Sequence, residues 1–172
     1  MKKNFLTLII IFFGIFSSAQ QIPSSYPQNY FGKPLDIPMF LSGNFAELRP
    51  NHFHAGIDIK TQGVEGKNVL ASASGYVSRI KIRTGGYGKV IYINHPNGYT
   101  TTYAHLKKFS KKIDNIVKRE QYNQKSFFID FYPDSNEVKI TKGEVIALSG
   151  NTGGSGGPHL HFESRETESE HA

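Results

Sequence analysis

From Lys89 the chain alternates cleanly, with Val90, Tyr92 and Asn94 on one face of an extended segment and Ile91, Ile93 and His95 on the other. Pro96-Asn97-Gly98 follows, and Asn-Gly between two alternating runs predicts a hairpin whose return strand spans residues 99–106 and carries His105 near its far end. Upstream, Ile57 and Ile59 alternate with Asp58 and Lys60, which favours a strand there. Residues 69–73 and 76–82 read as strands broken at Ser74-Gly75, and Gly85-Gly86-Tyr87-Gly88 reads as a turn. Downstream, the pattern changes period. Ile113, Ile116 and Val117 share one helical face behind Ser110, a residue suited to an N-cap, so residues 110–124 are predicted to be a helix. Residues 127–132 look like an added strand closed by Pro133-Asp134. Lys142-Gly143-Glu144 turns into a short buried strand at 145–148. The run from Asn151 to Pro158 ends whatever precedes it and lets a strand begin at His159. The fold class expected is therefore mainly β: a partly open, antiparallel, barrel-like domain with a small helical insertion at about 107–136.

Hydropathy also organises the ends. Lys2 and Lys3 precede an apolar run at 5–16, too short to span a bilayer comfortably, and Ser17-Ser18-Ala19 offers small residues for cleavage after Ala19. Residues 1–19 are thus expected to be a signal peptide, making the protein secreted or periplasmic with no stable membrane insertion after cleavage. Residues 20–42, polar and spotted with Pro23, Pro27 and Pro34, read as an extended arm joining the domain at 37–41. The domain itself is placed at 43–163. Residues 164–172, charged and without a large apolar side chain, are expected to be a disordered tail, either native or truncated. The chain has 172 residues, no cysteine and a net charge of +6. No disulfide framework is possible, and two of those charges lie in the leader at Lys2 and Lys3. The lysines are otherwise scattered apart from two pairs, no phosphate-binding glycine motif is present, and no nucleic-acid partner is expected.

The candidate chemistry lies in three short motifs. In Gly157-Pro158-His159-Leu160-His161-Phe162-Glu163 two imidazoles fall on one face of a strand, a good start for a metal site. His54 and Asp58, four apart, can face one side, and His105 stands in Tyr103-Ala104-His105-Leu106. Each motif alone is weak, since half-exposed strands and hydrogen-bonded core histidines explain most such cases. His52 and His171 read as surface residues, and His95, before a proline in a hairpin, as structural. A cupin-like metal barrel would place a glutamate further beyond His-x-His than Glu163 stands, and would leave Tyr-Ala-His-Leu without a role.

Taken in chain order, His54-x-x-x-Asp58, then Tyr103-Ala104-His105-Leu106, then Gly157 to Glu163, the three motifs resemble those of the lysostaphin-type zinc metallopeptidases, over roughly residues 43–163. The resemblance implies zinc (Zn2+) held by His54, Asp58 and His161, with His105 and His159 as non-ligand catalytic histidines beside an activated water. It implies a metalloendopeptidase acting on peptide stems or cross-bridges of bacterial cell-wall peptidoglycan. A second reading is a non-enzymatic regulator of wall hydrolases with the same fold, and loss of one of the five residues would favour it; all five are present. The chain departs from the family pattern at the insertion and at the C-terminus.

Overall fold

The computed structural model of the protein describes residues 29–50 and 52–168. The expected leader, the start of the arm and residues 169–172, with His171, lie outside the described residues. Among the described residues, eleven strands and one helix follow in chain order: β1 Leu41–Gly43, β2 Ile57–Lys60, β3 Asn68–Leu70, β4 Gly75–Ile82, β5 Lys89–Asn94, β6 Tyr99–Ala104, β7 Leu106–Phe109, α1 Lys111–Gln124, β8 Ile129–Phe131, β9 Lys139–Ile140, β10 Val145–Ser149 and β11 His159–Glu166. The fold is mainly β and antiparallel, as the alternation predicts. Its strands form two open sheets rather than a closed barrel: an eight-stranded sheet in the order β1-β2-β11-β6-β5-β4-β8, with β9 also on β4, and a three-stranded sheet in the order β3-β10-β7.

The alternating β5 strand buries both faces. Ile91 and Ile93 join the main core with Val77, Ile80, Tyr103, Leu160 and Ile146, while Val90 and Tyr92 pack on the other side with Ala104 and Tyr87. Tyr103 is fully buried, and its hydroxyl accepts from the Ser72 amide at 2.8 Å, so the ring's polar end is not left unpaired in the core. The expected arm enters this core earlier than its polar composition suggests. Leu35 is fully buried and bridges Val69.

Helix α1 forms where the spacing of Ile113, Ile116 and Val117 predicts it, with Ile113 and Val117 buried against the core. Ser110 occupies the N-cap position with extended dihedrals, but its Oγ makes no cap bond; the carbonyl accepts from Asp114 N at 2.8 Å instead. The insertion is less separate than expected. Leu106–Phe109 is a strand of the second sheet, paired with β10, because Leu106 and Phe109 are core residues. Strands β8 and β9, beyond the helix, extend the large sheet by pairing with β4.

The C-terminal expectation needs correction. Ser164, Arg165 and Glu166 are not a disordered tail but the end of β11, paired with Thr101, Thr100 and Tyr99 of β6. The ladder, rather than apolar side chains, holds them, and Thr167 N adds a bond to Gly98 O at 2.9 Å. Truncation after Ser164 is therefore expected to lower the melting temperature by several degrees, because it removes ladder bonds and the Arg165 guanidinium that satisfies the buried Glu163. Thermal unfolding of the shortened chain checks this; an unchanged midpoint would contradict it.

Candidate metal centre

The site assembles at one end of the large sheet. His159 and His161 share a face of β11, and the register places His161 directly opposite Asp58 of β2. Leu160 on the opposite face is fully buried in the core, as is Ile59 beside Asp58, so hydrophobic burial fixes which way both polar side chains turn. His54 precedes β2 on a hairpin-like loop whose two arms are joined by the Leu48–Phe53 bridge, and His54 N donates to Glu47 O at 2.8 Å.

His105 stands at an unexpected place. It is not the last residue of a single strand but a left-handed residue, φ 58°, between β6 and β7, where the chain leaves one sheet for the other. For a non-glycine residue this conformation costs about 1 kcal/mol or more. The surroundings hold it: His105 N donates to Tyr87 O at 3.0 Å, and Nδ1 donates to Thr152 O at 2.8 Å. The turns carrying Tyr87 and Thr152 interlock through glycines. Gly88 and Gly153 both have positive φ, and a Cβ on either would collide with the other turn.

All five histidine and aspartate positions singled out in the sequence converge. His54 Nε2, Asp58 Oδ1 and His161 Nδ1 form a triangle with sides of 2.9, 3.0 and 3.1 Å. The three residues are buried, at 6, 8 and 3 % exposure. His159 Nε2 lies 3.4 Å from Asp58 Oδ1, and the His105 and His159 rings are 4.7 Å apart. Together they line a cleft of about 370 Å³. His52, read as a surface residue, is exposed at the rim of that cleft. His95 is structural, as expected: it is buried at the far end of the hairpin, with Nδ1 on Ser74 O and Nε2 on Thr101 Oγ1.

The far-side partners set which ring nitrogens carry protons. His54 Nδ1 faces Asn44 O at 2.7 Å and must donate there; His161 Nε2 faces Glu163 Oε1 at 2.8 Å and does likewise. The opposite nitrogens are then unprotonated. Two imidazole lone pairs and one carboxylate oxygen converge about 3 Å apart, which is repulsive unless a cation lies between them. A tetrahedral zinc shell with ligands near 2.0 Å has an edge of roughly 3.3 Å, so the donor set suits zinc in type, number and spacing. Among the described residues this is the group of His, Cys, Asp and Glu able to hold a metal ion.

Electrostatics agree with the tautomers. Burial pushes the Asp58 carboxyl upward, but the neighbouring imidazoles of His159, His161 and His54 outweigh it and hold the carboxyl well below its usual range, hence ionised. Burial pushes His105 down to about 4, keeping its ring neutral with Nε2 unprotonated. Burial also lowers His95, whereas the Asp58 contact outweighs burial at His159 and raises it. The linkage sign follows. His95 and His105 bind a proton in the unfolded chain near pH 6.5 but resist it when folded. The His105 contribution is intact above about 6.5 and lost as pH falls towards 4; His95 acts in the same direction and His159 opposes them. The metal-free domain is expected to lose stability as pH falls from 7 to 4.5. Denaturant midpoints in chelator measure this, and flat or rising stability would contradict it.

Several contributors carry no signal in the sequence motifs. Asn44 acts through its backbone carbonyl, and Arg49 Nη2 donates to Asp58 Oδ2 at 3.0 Å. Glu163 stands two residues beyond His161, and only the structure reveals it as the partner of His161, itself bonded by the Tyr87 hydroxyl and by Arg165. The Tyr87 ring stacks on His161 with centroids 5.0 Å apart.

The description "Peptidase family M23" is that of the family whose pattern matches residues 52–122, a stretch that includes His54, Asp58 and His105. Residues 52–122 thus match peptidase family M23. Among curated relatives, the DD-carboxypeptidase/endopeptidase Mpg of Neisseria meningitidis is 38 % identical over 112 residues, covering 65 % of this chain and 20 % of that protein. The murein hydrolase activator NlpD of Escherichia coli is 36 % identical over 110 residues, covering 64 % of this chain and 22 % of that one. The chain spans about a fifth of the length of these relatives. Among solved structures, a zinc-containing peptidase from Vibrio cholerae superposes with a TM-score of 0.58 at 25 % identity, over 80 % of this chain and 37 % of that one. No described helix is long and apolar enough to cross a membrane.

Proposed function

We propose that the protein is an exported zinc metalloendopeptidase that hydrolyses peptide bonds in bacterial peptidoglycan. The observation that carries this reading is the convergence of three unprotonated donor atoms, with two further histidines beside them, in one cleft of a chain that matches family M23 over residues 52–122. His54 Nε2, Asp58 Oδ1 and His161 Nδ1 would hold the metal. Bound there, zinc supplies a Lewis acid for the scissile carbonyl and lowers the pKa of a water in its open position.

The chain's own residues do the rest. Glu163 and the Asn44 carbonyl fix the ligand rings by accepting hydrogen bonds from their outer N–H groups, and outer partners of this kind set ligand orientation and basicity. His105 and His159 each anchor Nδ1–H on a backbone carbonyl, that of Thr152 and that of Gly157, both at 2.8 Å. Both rings therefore turn Nε2 towards the cleft, the orientation needed to carry a proton from the attacking water to the leaving amine. Export rests on the basic start and apolar run of residues 1–16.

The likeness to the activator NlpD favours a second reading, a domain that acts on wall hydrolases by contact. The complete set of five side chains in hydrogen-bonding and ring-contact distance supports chemistry over that alternative. Clearing of a purified peptidoglycan suspension, abolished by chelator and restored by zinc, tests the enzyme reading. A suspension left intact by the zinc-loaded protein would count against it.

A further inference from the structure

The loop that carries His54 also reaches Asp58. A carboxylate turns easily about its last torsion, so Asp58 offers Oδ1 to the two imidazoles only if Oδ2 is held elsewhere. Arg49 holds it, with Nη2 at 3.0 Å from Oδ2. The guanidinium is itself placed by the loop: Arg49 N donates to His52 O at 2.9 Å, and Nη2 also meets Glu47 Oε2 at 3.1 Å. Glu47 in turn accepts from Asn44 N at 3.3 Å, and the Asn44 carbonyl is the one that orients His54. One short loop thus sets two of the three donors. Across the β1–β2 pair, the position facing Asp58 is left bare. A Cβ on Gly43 would stand 2.5 Å from Asp58 Oδ2 and 2.6 Å from Arg49 Nη2.

We propose that Arg49 is a positioning residue that locks Asp58 in the orientation presenting Oδ1 to His54 and His161, so that the 44–49 loop sets metal affinity. The proposal rests on the zinc reading above. A cation beside a metal site would by charge alone weaken metal binding. Glu47 on the same Nη2 offsets that charge, which leaves orientation as the dominant effect.

The test is zinc affinity of the full chain by chelator competition, together with the visible spectrum of the cobalt-substituted protein. Arg49→Met is expected to bind zinc about 10- to 100-fold more weakly and to change the cobalt bands, the usual size of an outer-partner effect. Arg49→Lys, which keeps the charge but not the planar fork, falls between. Gly43→Ala, which leaves Arg49 in place but crowds the pair, should also weaken binding; it carries the test if Arg49→Met does not fold. Wild-type affinity, tighter binding or an unchanged cobalt spectrum in folded Arg49→Met or Gly43→Ala would overturn the proposal while leaving the zinc reading intact. A wild-type chain that binds no zinc would overturn both.

Discussion

His161→Ala is expected to abolish zinc binding and reduce peptidoglycan hydrolysis to background. His161 is the most buried of the three donors. It is 3 % exposed, its Nδ1 stands 2.9 Å from His54 Nε2 and 3.0 Å from Asp58 Oδ1, and Glu163 fixes its ring from behind. Removing it leaves two donors, too few for a catalytic zinc site. The backbone of β11 stays paired with β2 and β6, so the variant should remain folded. In chelator its melting temperature is expected to fall by several degrees, since buried Glu163 loses a partner, and a cooperative unfolding transition then separates loss of the metal from loss of the fold. Metal analysis of the purified variant decides the matter, and full zinc occupancy would remove His161 from the ligand set.

His105→Ala and His159→Ala should behave differently. Neither ring belongs to the triangle of donors, yet both turn Nε2 into the cleft, so each variant is expected to keep its zinc and lose turnover by about a hundred- to ten-thousand-fold. His105→Ala also relieves nothing in the backbone, since alanine at φ 58° is no better placed than histidine; a modest fall in stability should accompany it. Parallel measurement of metal content and turnover checks the division. A variant that loses zinc in proportion to activity would show that residue to be a ligand.

The strands that build the site were legible because each is local and alternating. Ile57–Lys60, Lys89–Asn94 and the hairpin at Asn97-Gly98 declare themselves through side-chain period and turn chemistry. What the sequence hid is non-local. The second sheet pairs β10 with β3 and β7, far apart in the chain, and no periodicity encodes such a pairing. Arg165 and Glu166 look like a solvated tail because their side chains are charged, whereas the β6 ladder holds their backbone. The four site histidines and the aspartate were found by motif. Their supports were not: Asn44 contributes a carbonyl, which has no residue signature, and Arg49 and Glu163 matter only through the partners the fold brings them. The left-handed turn at His105 was equally hidden, because it depends on where one sheet ends and the other begins.

The central claim is that this cleft hydrolyses a peptide bond in the wall polymer with a metal held by its own residues. The most direct measurement is mass analysis of cross-linked peptidoglycan fragments incubated with the zinc-loaded protein, the chelated protein and the His161→Ala variant. The expected result is product masses one water heavier in total than the substrate, with the break in the peptide portion, from the zinc-loaded protein alone. Fragments left intact by a protein shown to carry a full equivalent of zinc would contradict the account and favour a domain that acts on other hydrolases by contact.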